Sequence, residues 1–121
     1  MPRVIHFEIP ADNPQRAIKF YSSVFGWKIE KTSMPMDYWL ATTGGNDKPG
    51  INGAIMPRGK EGCVINTIDV PSIDKFTDLI KKNDGKILQP KMPIPGIGYF
   101  SYFQDTEGNK LGILESDMSA K

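Results

Sequence analysis

The sequence predicts an α+β domain built from two βαβββ modules, and three observations carry that prediction. The first is a change of hydrophobic period along the chain. Alternating runs, whose side chains face opposite sides at every step, give way to runs with apolar residues three and four apart, and then return. The second is that this order occurs twice, on either side of Pro57-Arg58-Gly59-Lys60-Glu61-Gly62, a turn-rich run that reads as a linker. The third is a local match between the halves. Asp12-Asn13-Pro14 answers Asp69-Val70-Pro71, and each precedes an amphipathic stretch, a glycine and a strand carrying Lys-Ile (Lys28-Ile29, Lys86-Ile87). A duplicated unit explains all three. Module one is expected at about residues 1–58 and module two at about 62–117, within one domain covering 1–121.

In chain order, Val4 to Ile9 reads as a strand with Ile5, Phe7 and Ile9 on one face and His6 and Glu8 on the other. Asp12 or Asn13 can cap a helix that opens on Pro14, a residue suited to the first turn because it lacks the N–H that would be left unpaired there. Ile18, Tyr21, Val24 and Phe25 form its apolar stripe, and Gly26 is placed to end it. Strands follow at Trp27–Lys31, Asp37–Thr42 and Ile51–Met56, interrupted by a Met34-Pro35-Met36 turn and by the loop from Gly44 to Gly50. The second half begins with a strand from Cys63 to Ile68. Its helix opens at Pro71, points Ile73, Phe76, Leu79 and Ile80 inward, and is closed by Gly85. Lys86-Ile87-Leu88 is a strand, Met92 to Gly98 a stiff Pro- and Gly-rich loop, and Tyr99–Gln104 with Asn109–Glu115 a closing hairpin.

Composition narrows the function classes. The 121 residues suit one domain that folds without disulfides. With 39% hydrophobic and 24% charged residues the balance is that of an ordinary globular protein. A net charge of +1 without a basic stripe gives nucleic-acid binding no electrostatic support. No apolar stretch reaches the ~20 residues needed to cross a bilayer, and no signal-peptide pattern precedes the first strand, so no membrane partner and a cytoplasmic location are expected. Cys63 is the single cysteine; its apolar surroundings predict a buried, inert thiol.

Two segments carry a resemblance. Val4-Ile5-His6-Phe7-Glu8-Ile9-Pro10-Ala11-Asp12, with Phe20-Tyr21 and Phe25-Gly26-Trp27 downstream, is similar to the opening of glyoxalase and bleomycin-resistance proteins. Gly98-Tyr99-Phe100, then Asp105-Thr106-Glu107-Gly108-Asn109, resembles their closing hairpin. The resemblance, to the vicinal oxygen chelate superfamily, implies an open cup-shaped mixed β-sheet with flanking helices. It implies a homodimer, because two modules make only part of the paired-cup arrangement. It also implies a small-molecule ligand, held either by a divalent metal (Zn, Ni, Mn or Fe) or without one, as in the bleomycin-binding members.

His6 falls where metal-using members carry their first-strand ligand, and it is the only histidine in the chain. A strand histidine facing a polar cavity can equally make hydrogen bonds alone. The other ligand positions that the resemblance implies do not match: the terminal-strand carboxylate falls on Gly112, the second-half position on Cys63 or Val64, and the strand from Ile51 to Ile55 holds no carboxylate. Glu8, on the same face as His6, is either a second metal ligand or a hydrogen-bond partner that raises the histidine pKa. Glu115 points opposite to Gly112 by alternation, which turns it away from the cup. Trp39 and Tyr102, among the rim aromatics, are candidates to line a pocket beside His6 and Glu8.

These readings lead to a binder of a small molecule in a β-cup with a degenerate metal site. The alternative is a divalent-metal-dependent lyase or dioxygenase in which His6 and Glu8 are ligands; a third reading is an interaction module that has lost its pocket. A polar pair kept in an apolar strand argues against the third, since its burial costs stability. No catalytic residue can be named from the sequence.

Overall fold

The computed structural model describes residues 2–60 and 62–121; Glu61 of the linker reading lies outside the described residues. The fold is α+β. The described residues form eight strands and two helices in the order β1 (Arg3–Ala11), α1 (Pro14–Phe25), β2 (Lys28–Lys31), β3 (Trp39–Thr42), β4 (Gly53–Pro57), β5 (Ile65–Asp69), α2 (Ile73–Lys82), β6 (Lys86–Ile94), β7 (Gly98–Gln104) and β8 (Lys110–Ser116). That is βαβββ twice. The chain divides into two compact units, one of His6–Ile65 and the other of Asn66–Lys121 with the residues before His6.

In the first unit the strands lie in the order β2-β3-β4-β1. β1 runs parallel to β4, while β2–β3 and β3–β4 are antiparallel. The long β1-to-β4 connection carries α1, as a parallel pair requires. Asn13, not Asp12, caps α1: its Oδ1 accepts from the Arg16 backbone N–H at 3.1 Å, and Asp12 instead binds Arg58 Nε at 2.8 Å. Gly26 ends the helix at φ 72°, a left-handed conformation open to glycine at no steric cost, and its N–H returns to the Ser22 carbonyl. The α1 stripe is narrower than the sequence suggests. Ile18 and Tyr21 are half-buried, but Val24 and Phe25 are exposed. Trp27 does the anchoring, stacking on Tyr21 at 5.1 Å between ring centres and meeting Phe7 at 5.7 Å.

In the second unit the order is β5-β8-β7-β6, with β5 parallel to β8 and the rest antiparallel. Its core is Val70, Ile73, Phe103 and Ile113, with Phe76 and Ile80 of α2 packed against it. Ile73 is fully buried, and burying such a side chain stabilises by about 1.5–3 kcal/mol. Leu79, expected inward, is exposed. Other sequence expectations are corrected as well. The second helix opens at Ile73 and not at Pro71, with Ser72 as its N-cap, the Oγ accepting from the Lys75 N–H. Asp84 rather than Gly85 takes the left-handed conformation after α2, at φ 70°. And β6 does not stop at Leu88 but continues to Ile94, pairing Met92 with Phe100 through two shifts of register. It tolerates Pro90 and Pro93 because it ends the strand order, where one side needs no ladder donors, and because the shifts absorb the missing N–H groups. Cys63 precedes β5 and is exposed, correcting the buried thiol read from its apolar neighbours.

Candidate functional site

Strand pairing in the first unit sorts side chains onto two faces. Glu8 lies opposite Ala54, and Ala54 opposite Leu40, so these three share a face. Ile9, Ile55 and Trp39 are likewise matched and take the other face, on which Phe7 meets Trp27. His6 and Glu8, two residues apart on β1, leave from the same side.

Tyr38, the residue before β3, joins them. Its hydroxyl donates to Glu8 Oε2 at 3.0 Å and lies 2.7 Å from His6 Nε2. A phenol has one proton. Given to Glu8, it leaves the phenolic oxygen to accept from His6 Nε2–H, which fixes the neutral imidazole as the Nε2–H tautomer with its lone pair on Nδ1. Glu8 and Tyr38 are both buried, and the imidazole and phenol rings lie within 14° of parallel. Burial holds the His6 pKa below its ordinary 6.5, because removal from water penalises the cation; the negative charge of Glu8 offsets this only in part. The sequence expectation that Glu8 raises the histidine pKa is therefore half right: the sign of the pair interaction is as expected, but desolvation is larger. The centre is thus an imidazole and a carboxyl group bridged by a phenol hydroxyl. Such a chain can orient Nδ1 as a hydrogen-bond or proton acceptor, with the base positioned by a second group and that group by a third.

The structure thus brings His6 and Glu8 together through Tyr38, a residue the sequence analysis does not single out. A buried tyrosine near two polar strand residues was the available signal, but thirty positions separate Tyr38 from Glu8 and no local pattern links them. Trp39 is not brought to the pair. It sits on the opposite face, half-buried, with the Lys31 ammonium 5.8 Å from its ring centre.

Tyr102, in the second unit, meets Phe100 edge-on with ring centres 4.7 Å apart. Gly112 lies opposite both Tyr102 and Thr67. A side chain at Gly112 would have its first carbon 2.5 Å from Phe100 Cζ and 3.3 Å from Thr67 Oγ1, so the phenyl ring fills the space that a longer residue would need. Glu115 points to the other face and has a structural role, since its Oε1 accepts the Ile73 backbone N–H at 2.8 Å and so satisfies a free donor at the start of α2. A cavity of about 340 Å³ opens beside it, lined by Pro2, Asp69, Val70, Pro71, Glu115 and Ser116, and none of the sequence-predicted site residues lines it. The Asp105–Asn109 run is turn chemistry. Asp105 Oδ1 accepts from the Glu107 and Asn109 backbone N–H groups, and the Asn109 hydrogen bond is the main reason its pKa is lowered.

Residues 3–113 match the model of the Glyoxalase/Bleomycin resistance protein/Dioxygenase superfamily. The chain belongs to this superfamily. Among its relatives is a glyoxylase-like domain-containing protein of Didymella fabae, 32% identical over 113 residues and 88% of each chain. Another is a putative glyoxylase of Mycobacterium bovis, 29% identical over 117 residues, 91% of this chain and 44% of the relative. The chain thus spans less than half the length of the mycobacterial protein. Solved structures share the fold of this superfamily member at low identity. A hypothetical protein from Bacillus halodurans superposes with a TM-score of 0.72 at 14% identity, covering 99% of this chain and 98% of its own. The methylmalonyl-CoA epimerase from Mycobacterium tuberculosis gives 0.70 at 12%, covering 94% and 87%.

Superfamily members often use a divalent metal, and the residues present do not fit one. A catalytic centre needs at least three N or O donors with a position open to substrate. His6 and Glu8 supply two, and His6 Nε2 is already bonded to Tyr38. Among the described residues no group of three or more His, Cys, Asp or Glu is arranged to hold an ion. At Gly112 there is neither a donor nor, with Phe100 in place, room for one.

Proposed function

We propose that this superfamily member binds a small molecule through the His6–Tyr38–Glu8 centre, with a degenerate metal site, and that it works as a homodimer. The observation that carries the reading is the buried hydroxyl of Tyr38 bridging imidazole and carboxylate. Burying polar groups such as Glu8 and Tyr38 costs stability unless they are paired, and the pairing holds the imidazole so that Nδ1 is rigidly positioned. A ligand offering a hydrogen-bond donor, or an acidic proton, is the chemistry that a neutral Nδ1 acceptor recognises. Dimerisation is supported by the exposed apolar residues Phe20, Val24, Phe25 and Leu40, and by a relative more than twice the length of the chain.

Two measurements test this. Metal content and thermal shift with Ni²⁺, Zn²⁺, Mn²⁺ and Fe²⁺ are expected to show no ion bound near one per chain. Glutathione with methylglyoxal is expected to give no turnover approaching the ~10 s⁻¹ of ordinary enzymes after loading with Ni²⁺ or Zn²⁺. One ion per chain, lost in both His6→Ala and Glu8→Gln, would establish the metal-dependent lyase or dioxygenase reading instead. Sedimentation as a monomer at micromolar concentration would remove the dimer.

A further inference from the structure

The cavity of about 340 Å³ in the second unit has a volume in the range of small-molecule pockets, and nothing described above makes use of it. It lies at the ends of two strands. β5 and β8 run parallel with Asp69 opposite Leu114, so Asp69 leaves the sheet on the face of Leu114 and Glu115 leaves it on the other. Both residues line the cavity, which therefore straddles the strand ends between them. Among the described residues no Lys, Arg or His lines it, and neither carboxylate has a cationic partner. The lining is also short of donors. Pro2 and Pro71 have no backbone N–H. The Val70 N–H is given to the Leu114 carbonyl at 2.9 Å, and the Ile73 N–H to Glu115 Oε1 at 2.8 Å. That bond leaves the second Glu115 oxygen open, and both oxygens of Asp69 are open as well.

Such a lining rejects an anion, which would meet two like charges and almost no donors. Nor does it suit a divalent metal: among the described residues no group of three or more His, Cys, Asp or Glu is arranged to hold one. What fits is a compact cation that brings its own donors. A protonated primary amine has three N–H donors and no acceptor. We propose that this cavity binds a small organic ammonium ion, its donors shared among Glu115, Asp69 and the Ser116 hydroxyl and its hydrocarbon body packed against Pro2 and Pro71. Glu115 then serves twice, one oxygen holding the start of α2 and the other the ligand. The site belongs to the second unit and is independent of the His6 centre in the first.

Cyclohexylammonium and cyclohexanol, alike in shape and differing in charge, are the probes. Each is titrated at neutral pH and low salt into the intact protein, Asp69→Asn, Glu115→Gln, the double variant and His6→Ala, with the backbone amide resonances of Val70, Ile73 and Ser116 as the readout. A charge pair open to solvent is worth about threefold in affinity, so two make the ammonium bind, at millimolar concentration, about tenfold tighter than the alcohol. Asp69→Asn and Glu115→Gln are each expected to cut that preference about threefold, the double variant and molar salt to abolish it, and His6→Ala to keep it. Equal binding of the two probes to the wild type, shifts that miss all three amides, or a preference surviving in the double variant would each overturn the proposal. So would displacement of the ammonium by micromolar Ca²⁺, which would make this an inorganic cation site. Loss of the preference in His6→Ala would overturn it too, by placing the probe at the His6 centre. If Glu115→Gln does not fold, the wild type and Asp69→Asn, whose carboxylate has no hydrogen bond to lose, decide the matter.

Discussion

Replacing Tyr38 by phenylalanine removes one oxygen and leaves the ring, which makes it the cleanest probe of the polar centre. The hydroxyl makes two bonds, to the Glu8 carboxylate at 3.0 Å and to His6 Nε2 at 2.7 Å. A hydrogen bond to a charged group contributes about 1.5–3 kcal/mol and one between neutral groups about 0.5–1.5. Glu8 is only 8% exposed, so little water replaces the lost donor. The expected loss is therefore about 2–4 kcal/mol, a large part of the 5–15 kcal/mol that holds a domain of this kind together. In melting temperature that is on the order of 10 °C. Urea unfolding at pH 7.5, followed by tryptophan fluorescence and by circular dichroism, measures it. Combining Tyr38→Phe with Glu8→Gln in a double-mutant cycle isolates the bond itself; a coupling of at least about 1 kcal/mol is expected for residues in contact. A loss below about 0.5 kcal/mol, or strictly additive single mutants, would refute the reasoning.

Because His6 is the only histidine, its imidazole resonance titrates without overlap, and the midpoint is expected below the ordinary 6.5. The folded state binds this proton more weakly than the unfolded state. The His6 contribution to stability is thus complete above about pH 6.5 and falls as the pH drops through 6.5 toward the folded-state pKa. His6→Gln should flatten that part of the stability profile, and a midpoint at or above 6.5 would contradict the burial argument. Gly112→Ala places a carbon 2.5 Å from Phe100 Cζ and should cost about 1–3 kcal/mol by overpacking, with Phe100→Leu recovering part of it; an unchanged urea midpoint would mean that the ring moves freely. Glu115→Gln should weaken the start of α2 by about 0.5–1 kcal/mol and leave ligand binding at the His6 centre unchanged, and hydrogen exchange at the Ile73 amide reads this locally.

The order of elements was legible in the sequence because it depends on local rules. Period-two and helical spacing, an asparagine and a proline at the start of α1 and a glycine at its end act within a few residues, so the βαβββ repeat could be read without the fold. The errors also have local causes. The Pro- and Gly-rich run from Met92 to Gly98 reads as a loop, and only the place of β6 at the end of the strand order explains why a strand tolerates proline there. Asp69 and Pro71 match the first half, and Ser72, which caps α2, lies one residue beyond that match.

For the candidate site, the sequence by itself determined that His6 and Glu8 share a face, since alternation along one strand is a property of the backbone alone. It also determined that Gly112 brings no donor. Only the tertiary structure decided the rest. Tyr38 reaches Glu8 from thirty residues away, Trp39 turns to the face opposite the pair, Glu115 is engaged by the Ile73 N–H, and the Phe100 ring covers Gly112. Each depends on which strands lie side by side and in what register, and register follows from burying one face of a sheet as a whole.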